Sequence, residues 1–192
     1  MPITAHLFGV VFYNDITMTK IIALTDININ GLPSPDTRMP WLHNSNYEWV
    51  TGATVCYNTE CATNDINGKY NTNKILEYAS TNNKIATSVT STNLYAPPSC
   101  STGTNCATGN WYLPSLGEIY SIYLNWSNNG AIYHGINLAG GSQFINDYYY
   151  WTSTEWSSTT QAWGFGFSSG YRFYTTRASN FHVRPALQIS AQ

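Results

Sequence analysis

Four short runs follow one another near the end of the chain, "YYYWTST", "QAWGFGF", "YRFYT" and "FHVRPAL", separated by small-residue turns such as "SSG" at 168–170. Bulky residues on alternate positions suit a pleated strand, in which successive side chains point to opposite faces. In "AWGFGF" the residues Trp163, Phe165 and Phe167 share one face, expected to be buried, while Gly164, Gly166 and Ser168 share the other. An outward face of Gly and Ser packs nothing of its own. The last third should therefore be antiparallel sheet with one wet, glycine-bearing side.

Helix signals lie upstream. In "LPSLGEIYSIYLNW", Ser115 and Glu118 have capping-box spacing. Ile119, Ile122, Tyr123 and Trp126 then fall at i, i+3, i+4 and i+7, a single apolar face. "NTNKILEYAS" at 71–80 predicts a short helix with Ile75, Leu76 and Ala79 on one side. At the start, "LFGVVFY" and "KIIALTDI" read as paired strands, with Asp15 and Asp26 as turn residues. Residues 28–70, including "WLHNSNYEW", and residues 81–110 read as irregular. Helices ahead of a strand-rich end are an α+β order. The 192 residues suit one well-buried domain over 1–192, with two helices packed on small antiparallel sheets and long loops.

Only 9% of residues are charged, against about 25% in an average soluble domain, so solubility rests on Asn, Thr and Ser. A net charge of -2 without a basic cluster argues against nucleic acid and anionic membrane as partners, and no run suggests membrane insertion. The cysteines form two close pairs, Cys56 with Cys61 and Cys100 with Cys106, and neither has a His at metal-ligand spacing. Two disulfides are expected, local or crossed, which places the mature protein outside a reducing cytosol. "MPITAHLFGVVFY" lacks the basic start and cleavage site of a secretory leader. Either a leader has been removed or the protein leaves the cell another way, for instance on a phage particle.

Catalytic signatures are missing from the sequence: no G-x-S-x-G, H-E-x-x-H, P-loop or dinucleotide fingerprint. His6, His43, His134 and His182 share no spacing, and Glu155 beside Ser and Thr reads as structural. The sequence predicts neither an enzyme nor a bound cofactor or metal. What stands out is the alphabet of residues 148–182, Tyr and Phe among Ser, Thr and Gly. Antibody hypervariable loops have this composition: Tyr gives contact area at low entropic cost, and Ser and Gly give adaptable hydrogen bonding. A recognition surface is the functional reading, and an ordinary Tyr-rich sheet the plain one.

The segments "GVVFY", "KIIALTD", "GKYNTNKI", "NWYLPSLGEI", "YYWTSTE", "AWGFGF" and "VRPAL" resemble, in this order and over most of the chain, the DUF1566-type (Lcl C-terminal-like) family. That resemblance implies a C-type-lectin-like fold and a protein that binds rather than transforms, as bacterial surface adhesins do. A closer resemblance is to the variable proteins of diversity-generating retroelements. There, template adenines are randomised, mostly in Asn codons, from which Tyr, Ser, Gly, Phe, His, Asp and Thr are reachable and Trp, Lys and Glu are not.

The resemblance implies a ligand-binding face of Tyr148, Tyr149, Ser157, Ser158, Gly164, Gly166, Tyr171, Phe173, Tyr174, Asn180, Phe181 and His182, with Trp156 and Arg172 beside them. Trp151, Glu155, Trp163, Val183, Arg184 and Pro185 would be scaffold. The calcium-binding "EPN" and "WND" of animal lectins are absent, so calcium-dependent sugar binding is not implied. Sulfatase-modifying enzymes share the implied fold but use cysteines late in the chain, and here none follows Cys106. The expected partner is a protein or glycan on another cell or surface, met from an extracellular, cell-surface or virion-surface position. The alternative is a fixed subunit of a pilus, fibre or phage tail that uses the same face for oligomer packing.

Overall fold

The computed structural model describes residues 5, 6, 8–42, 50 and 52–190. His43 and most of "WLHNSNYEW" lie outside the described residues. In chain order the elements are β1 (Ala5–His6), β2 (Gly9–Asn14), β3 (Met18–Ala23), β4 (Val55–Cys56), α1 (Thr59–Asn64), α2 (Gly68–Thr81) and α3 (Thr87–Leu94). Then come β5 (Trp111–Tyr112), α4 (Leu116–Trp126), α5 (Ala131–Leu138), β6 (Tyr149–Trp156), β7 (Gln161–Gly166), β8 (Tyr171–Thr176) and β9 (Ala186–Ser190). They build one five-stranded sheet, β1-β2-β3-β9-β5, and one four-stranded sheet, β4-β6-β7-β8.

The architecture is α+β, as the element order predicts, with five helices among the described residues where the sequence predicts two. Helix α3 falls inside the stretch read as a loop. Its sequence, "TSVTSTNL", holds few strong helix formers, and it persists because Ser88, Val89, Ser91 and Thr92 are all buried against the fold. The second sheet is not wholly antiparallel, since β4 pairs with β6 in parallel. "FHVRPAL" is a strand only from Ala186 onward, where it joins the N-terminal sheet.

Both sheets are covered on both sides at their centres. Along β3, Ile21 and Ala23 enter one apolar cluster with Ile75 of α2 and Val89 of α3, while Ile22 enters the other with Ile119 and Ile122 of α4. Along β6, Trp151 joins the first cluster and Tyr150 the second. Phe165 and Phe167 occupy the second cluster with Trp163, as their alternation predicts.

Polar residues wire these layers together. Strand β6 leaves the β7 ladder between Trp151 and Glu155, and the freed groups bond elsewhere. Ser153 N–H donates to the Pro114 carbonyl, and the Thr154 hydroxyl donates to Asp65 and accepts from Leu116 N–H. The "TSTE" run is thus interior, and these bonds offset most of its desolvation, although Ser153 Oγ and Glu155 Oε1 are buried without a hydrogen-bond partner. Glu155 pairs with Arg177, both fully buried, the guanidinium lying 4.6 Å from the Trp41 ring centroid.

Asp15 is a turn residue as predicted, accepting from the N–H groups of Thr17 and Met18. Asp26 is not. Its carboxylate is buried, receiving the Arg184 guanidinium and, at 2.8 Å, the Tyr150 hydroxyl. Glu118 caps α4 by accepting from Ser115 N–H at 3.0 Å. The disulfides are local, Cys56–Cys61 and Cys100–Cys106. Among the described residues no helix is long and apolar enough to cross a membrane.

Candidate functional site

Strand register decides which of the predicted residues share a surface. Gly166 pairs with both Tyr149 and Tyr171, Gly164 with both Trp151 and Phe173, and Phe165 with Arg172. Alternation then puts Tyr149, Trp151, Tyr171 and Phe173 on the glycine side of the sheet, and Arg172 and Tyr174 on the side of Trp163 and Phe165.

On the glycine side the rings form a continuous layer. Tyr149 and Phe173 have ring centroids 4.5 Å apart, and Tyr171 stacks on Phe173 at 5.6 Å. Phe181 touches Tyr149, Phe173 and the buried Trp151 at 5.4, 5.6 and 4.5 Å. An isolated bridge between Met39 and Phe181 fixes the layer's far edge. The outer rings face water, Tyr171 being 58% exposed and Tyr149 44%, and the 42% exposed Tyr148 stands beside the layer with its ring against His182. Asn180 is exposed beside the half-buried Phe181. Such offset and edge-to-face contacts make the layer rigid while leaving phenol hydroxyls at its surface.

Gly164 and Gly166 form the floor of this layer. They lie under the Phe173 and Tyr149 rings and are themselves buried, so they do not face water as expected. A strand with no Cβ lets aromatic rings from its two neighbours lie across its backbone. Their role is support.

His182 is a second correction. It is 1% exposed, its ring against those of Tyr148 and Tyr150, with Nδ1 3.4 Å from Asp26 Oδ2. Its backbone exchanges hydrogen bonds with Tyr149 and Trp151, so the residue braces the start of β6 and is out of a ligand's reach.

The third correction concerns Trp156, Arg172 and Tyr174. Tyr174 stacks on Trp156 at 3.6 Å and meets Trp163 edge-on, and the Arg172 guanidinium lies 4.5 Å from the Tyr120 ring centroid. They form a separate cluster on the sheet's other face, reaching solvent at its outer edge. Ser157 and Ser158 belong to the turn leaving β6, at this end of the sheet.

Sequence reasoning missed Arg38. It lies far upstream, yet its guanidinium sits 4.9 Å from the Tyr148 ring centroid and adds a positive charge beside that exposed tyrosine. The only sequence signal is a lone Arg in a loop, which carries no information about its neighbour. All six residues expected to be scaffold, Trp151, Glu155, Trp163, Val183, Arg184 and Pro185, are buried. No family model matches the chain, and comparison with curated proteins finds no match.

Proposed function

We propose that the protein is a binding protein whose recognition surface is the layer of Tyr149, Tyr171, Phe173 and Phe181, with Tyr148, Asn180 and Arg38 at its border. The observation that carries this reading is the exposure of connected aromatic rings on a rigid, glycine-floored sheet. Tyrosines held this way lose little side-chain entropy on contact and offer both apolar area and hydroxyl groups, the properties of a paratope. A protein or glycan partner covering about 800 Å² would meet several of these rings at once. On the same reading the fold is C-type-lectin-like, and the face is diversified as in retroelement variable proteins. Two disulfides accord with an extracellular, cell-surface or virion-surface setting.

Sequencing the DNA around the gene tests the diversified reading. The expected result is a near-copy of the codons for 148–182 that differs only at adenines, with changes at Tyr149, Tyr171, Phe173 and Phe181 and none at Trp151, Trp163 or Arg184. Absence of such a copy would leave a fixed adhesin, and changes at the buried codons would refute diversification of this face. The surface itself is tested by Tyr149→Asp/Tyr171→Asp, which should keep the native far-ultraviolet circular dichroism and a cooperative urea transition. Loss of the fold in that variant would return the rings to an ordinary structural role.

A second reading rests on β8, the outer strand of its sheet, with no strand beyond it among the described residues. An unpaired edge is a template for another chain, as a fibre or tail subunit would need. Sedimentation separates the readings: a stable assembly that buries Tyr171–Thr176 favours the subunit, and a monomer favours the receptor.

A further inference from the structure

A cavity of about 450 Å³ lies between the β2–β3 hairpin and the first turns of α2 and α4, and it shares no lining residue with the aromatic layer. Its walls are mainly apolar, from Phe12, Tyr13, Met18, Ile66 and Tyr70, and Lys20 and Glu118 lie at its floor. This is the size and make-up of a site for a small molecule.

The polar groups decide what that molecule carries. Glu118 is already engaged within the fold. Its Oε1 accepts from Lys20 Nζ and the Tyr112 hydroxyl and its Oε2 from Ser115 N–H, while the Ser115 hydroxyl donates at 2.6 Å to the Asp65 carbonyl. Lys20, 6% exposed, has three ammonium protons. One goes to Glu118 and one to the Ile66 carbonyl, leaving one for the cavity. Lys69 adds a second ammonium at the rim, and no salt bridge joins it to a carboxylate among the described residues. The lining thus holds two ammonium groups, Lys20 and Lys69, against the one carboxylate of Glu118. The surplus is therefore in donors and positive charge, inside an aromatic cage.

We infer that this cavity binds a small amphipathic acid, an aromatic or aliphatic carboxylate whose apolar body lies between Tyr13, Phe12 and Tyr70. Its carboxylate takes the free proton of Lys20 and the charge of Lys69. The site is independent of the recognition face, and its test does not depend on that reading.

The probes are 4-hydroxyphenylacetate and its neutral isostere, 4-hydroxyphenylacetamide, titrated into the whole chain and followed by amide NMR shifts. Saturable shifts for the acid are expected at Lys20, 67–70 and 117–121, with a dissociation constant at or below about 1 mM and binding about tenfold tighter than the amide. Lys69→Gln, at a surface position, should weaken the acid roughly two- to fivefold and leave the amide unchanged. Tyr70→Ala should weaken both together. Equal binding of acid and amide, shifts scattered over the surface, no saturation, or an unaltered acid affinity in Lys69→Gln would each overturn the proposal.

Discussion

The glycine floor makes a prediction whose sign depends on a distance. A Cβ built at Gly164 would stand 2.7 Å from Cζ of Phe173, and 3.1 and 3.2 Å from Cε2 and Cε1. Carbon atoms ordinarily approach to about 3.5–4.0 Å, so in Gly164→Ala the ring must retreat by roughly 1 Å. The ring is hemmed in by Tyr149, Tyr171 and Phe181. Overpacking of this kind costs about 1–3 kcal/mol, while replacing a strand glycine by alanine returns roughly 0.5–1 kcal/mol of backbone entropy. The clash outweighs the gain, leaving a net cost of up to about 2.5 kcal/mol.

At Gly166 the balance shifts. Its Cβ would lie 3.2 Å from two ring atoms of Tyr149, so a shift of only a few tenths of an ångström relieves the contact, toward the solvent that Tyr149 already faces. Gly166→Ala should therefore change stability by no more than about 0.5 kcal/mol either way. Urea unfolding of the two variants measures the difference. Gly164→Ala/Phe173→Ala supplies the control: removing the ring should abolish the penalty, which appears as a coupling energy in the double-mutant cycle. If Gly164→Ala is as stable as Gly166→Ala, or shows no coupling to Phe173, the rings do not rest on the glycines and the description of the layer is wrong.

Other perturbations probe the scaffold beneath. Asp26→Asn strands the buried Arg184 guanidinium and should cost about 3–5 kcal/mol, with Asp26→Asn/Arg184→Met less damaged than the single change; a penalty under about 1 kcal/mol would contradict the buried pair. Burial pushes the Tyr95 phenol up to about 12, and Tyr112 and Tyr150 are raised by the same cause. Because the folded values lie above the unfolded value of 10.0, the stabilisation is complete below that pH and is lost as pH climbs towards the folded values. For Tyr95 the loss is about 2–3 kcal/mol, and urea midpoints that stay flat above about pH 10 would refute it. Reducing either disulfide, which join residues five and six apart, should cost about 2 kcal/mol by loop closure; a melting temperature unchanged by reductant would count against that.

The sequence carries the local structure and little of the wiring. Alternation places Trp163 and Phe165 inward correctly, since period two is a property of the strand alone. The same alternation, applied along β8, separates Tyr171 and Phe173 from Arg172 and Tyr174, yet composition groups them as one surface because it discards position. Asp26 and Glu155 are not legible because their partners, Arg184 and Arg177, are chosen by the tertiary fold. His182 has a surface-like neighbourhood in sequence and a core position in space. Its strand-to-sheet crossing at 181–185 is set by where β9 must dock.

That docking has a consequence in time. Strand β9 fits between β3 and β5, with Ile22 opposite Ala186. Until the last strand emerges, β3 has a neighbour on one side only and β5 has none. At synthesis rates of about 5–20 residues per second, the interval between the two is on the order of ten seconds or more. During that wait the N-terminal hairpin shows a bare, isoleucine-rich edge to every other nascent chain nearby. This hazard belongs to the chain on the ribosome, and chaperone capture of stalled chains ending before Ala186 would reveal it.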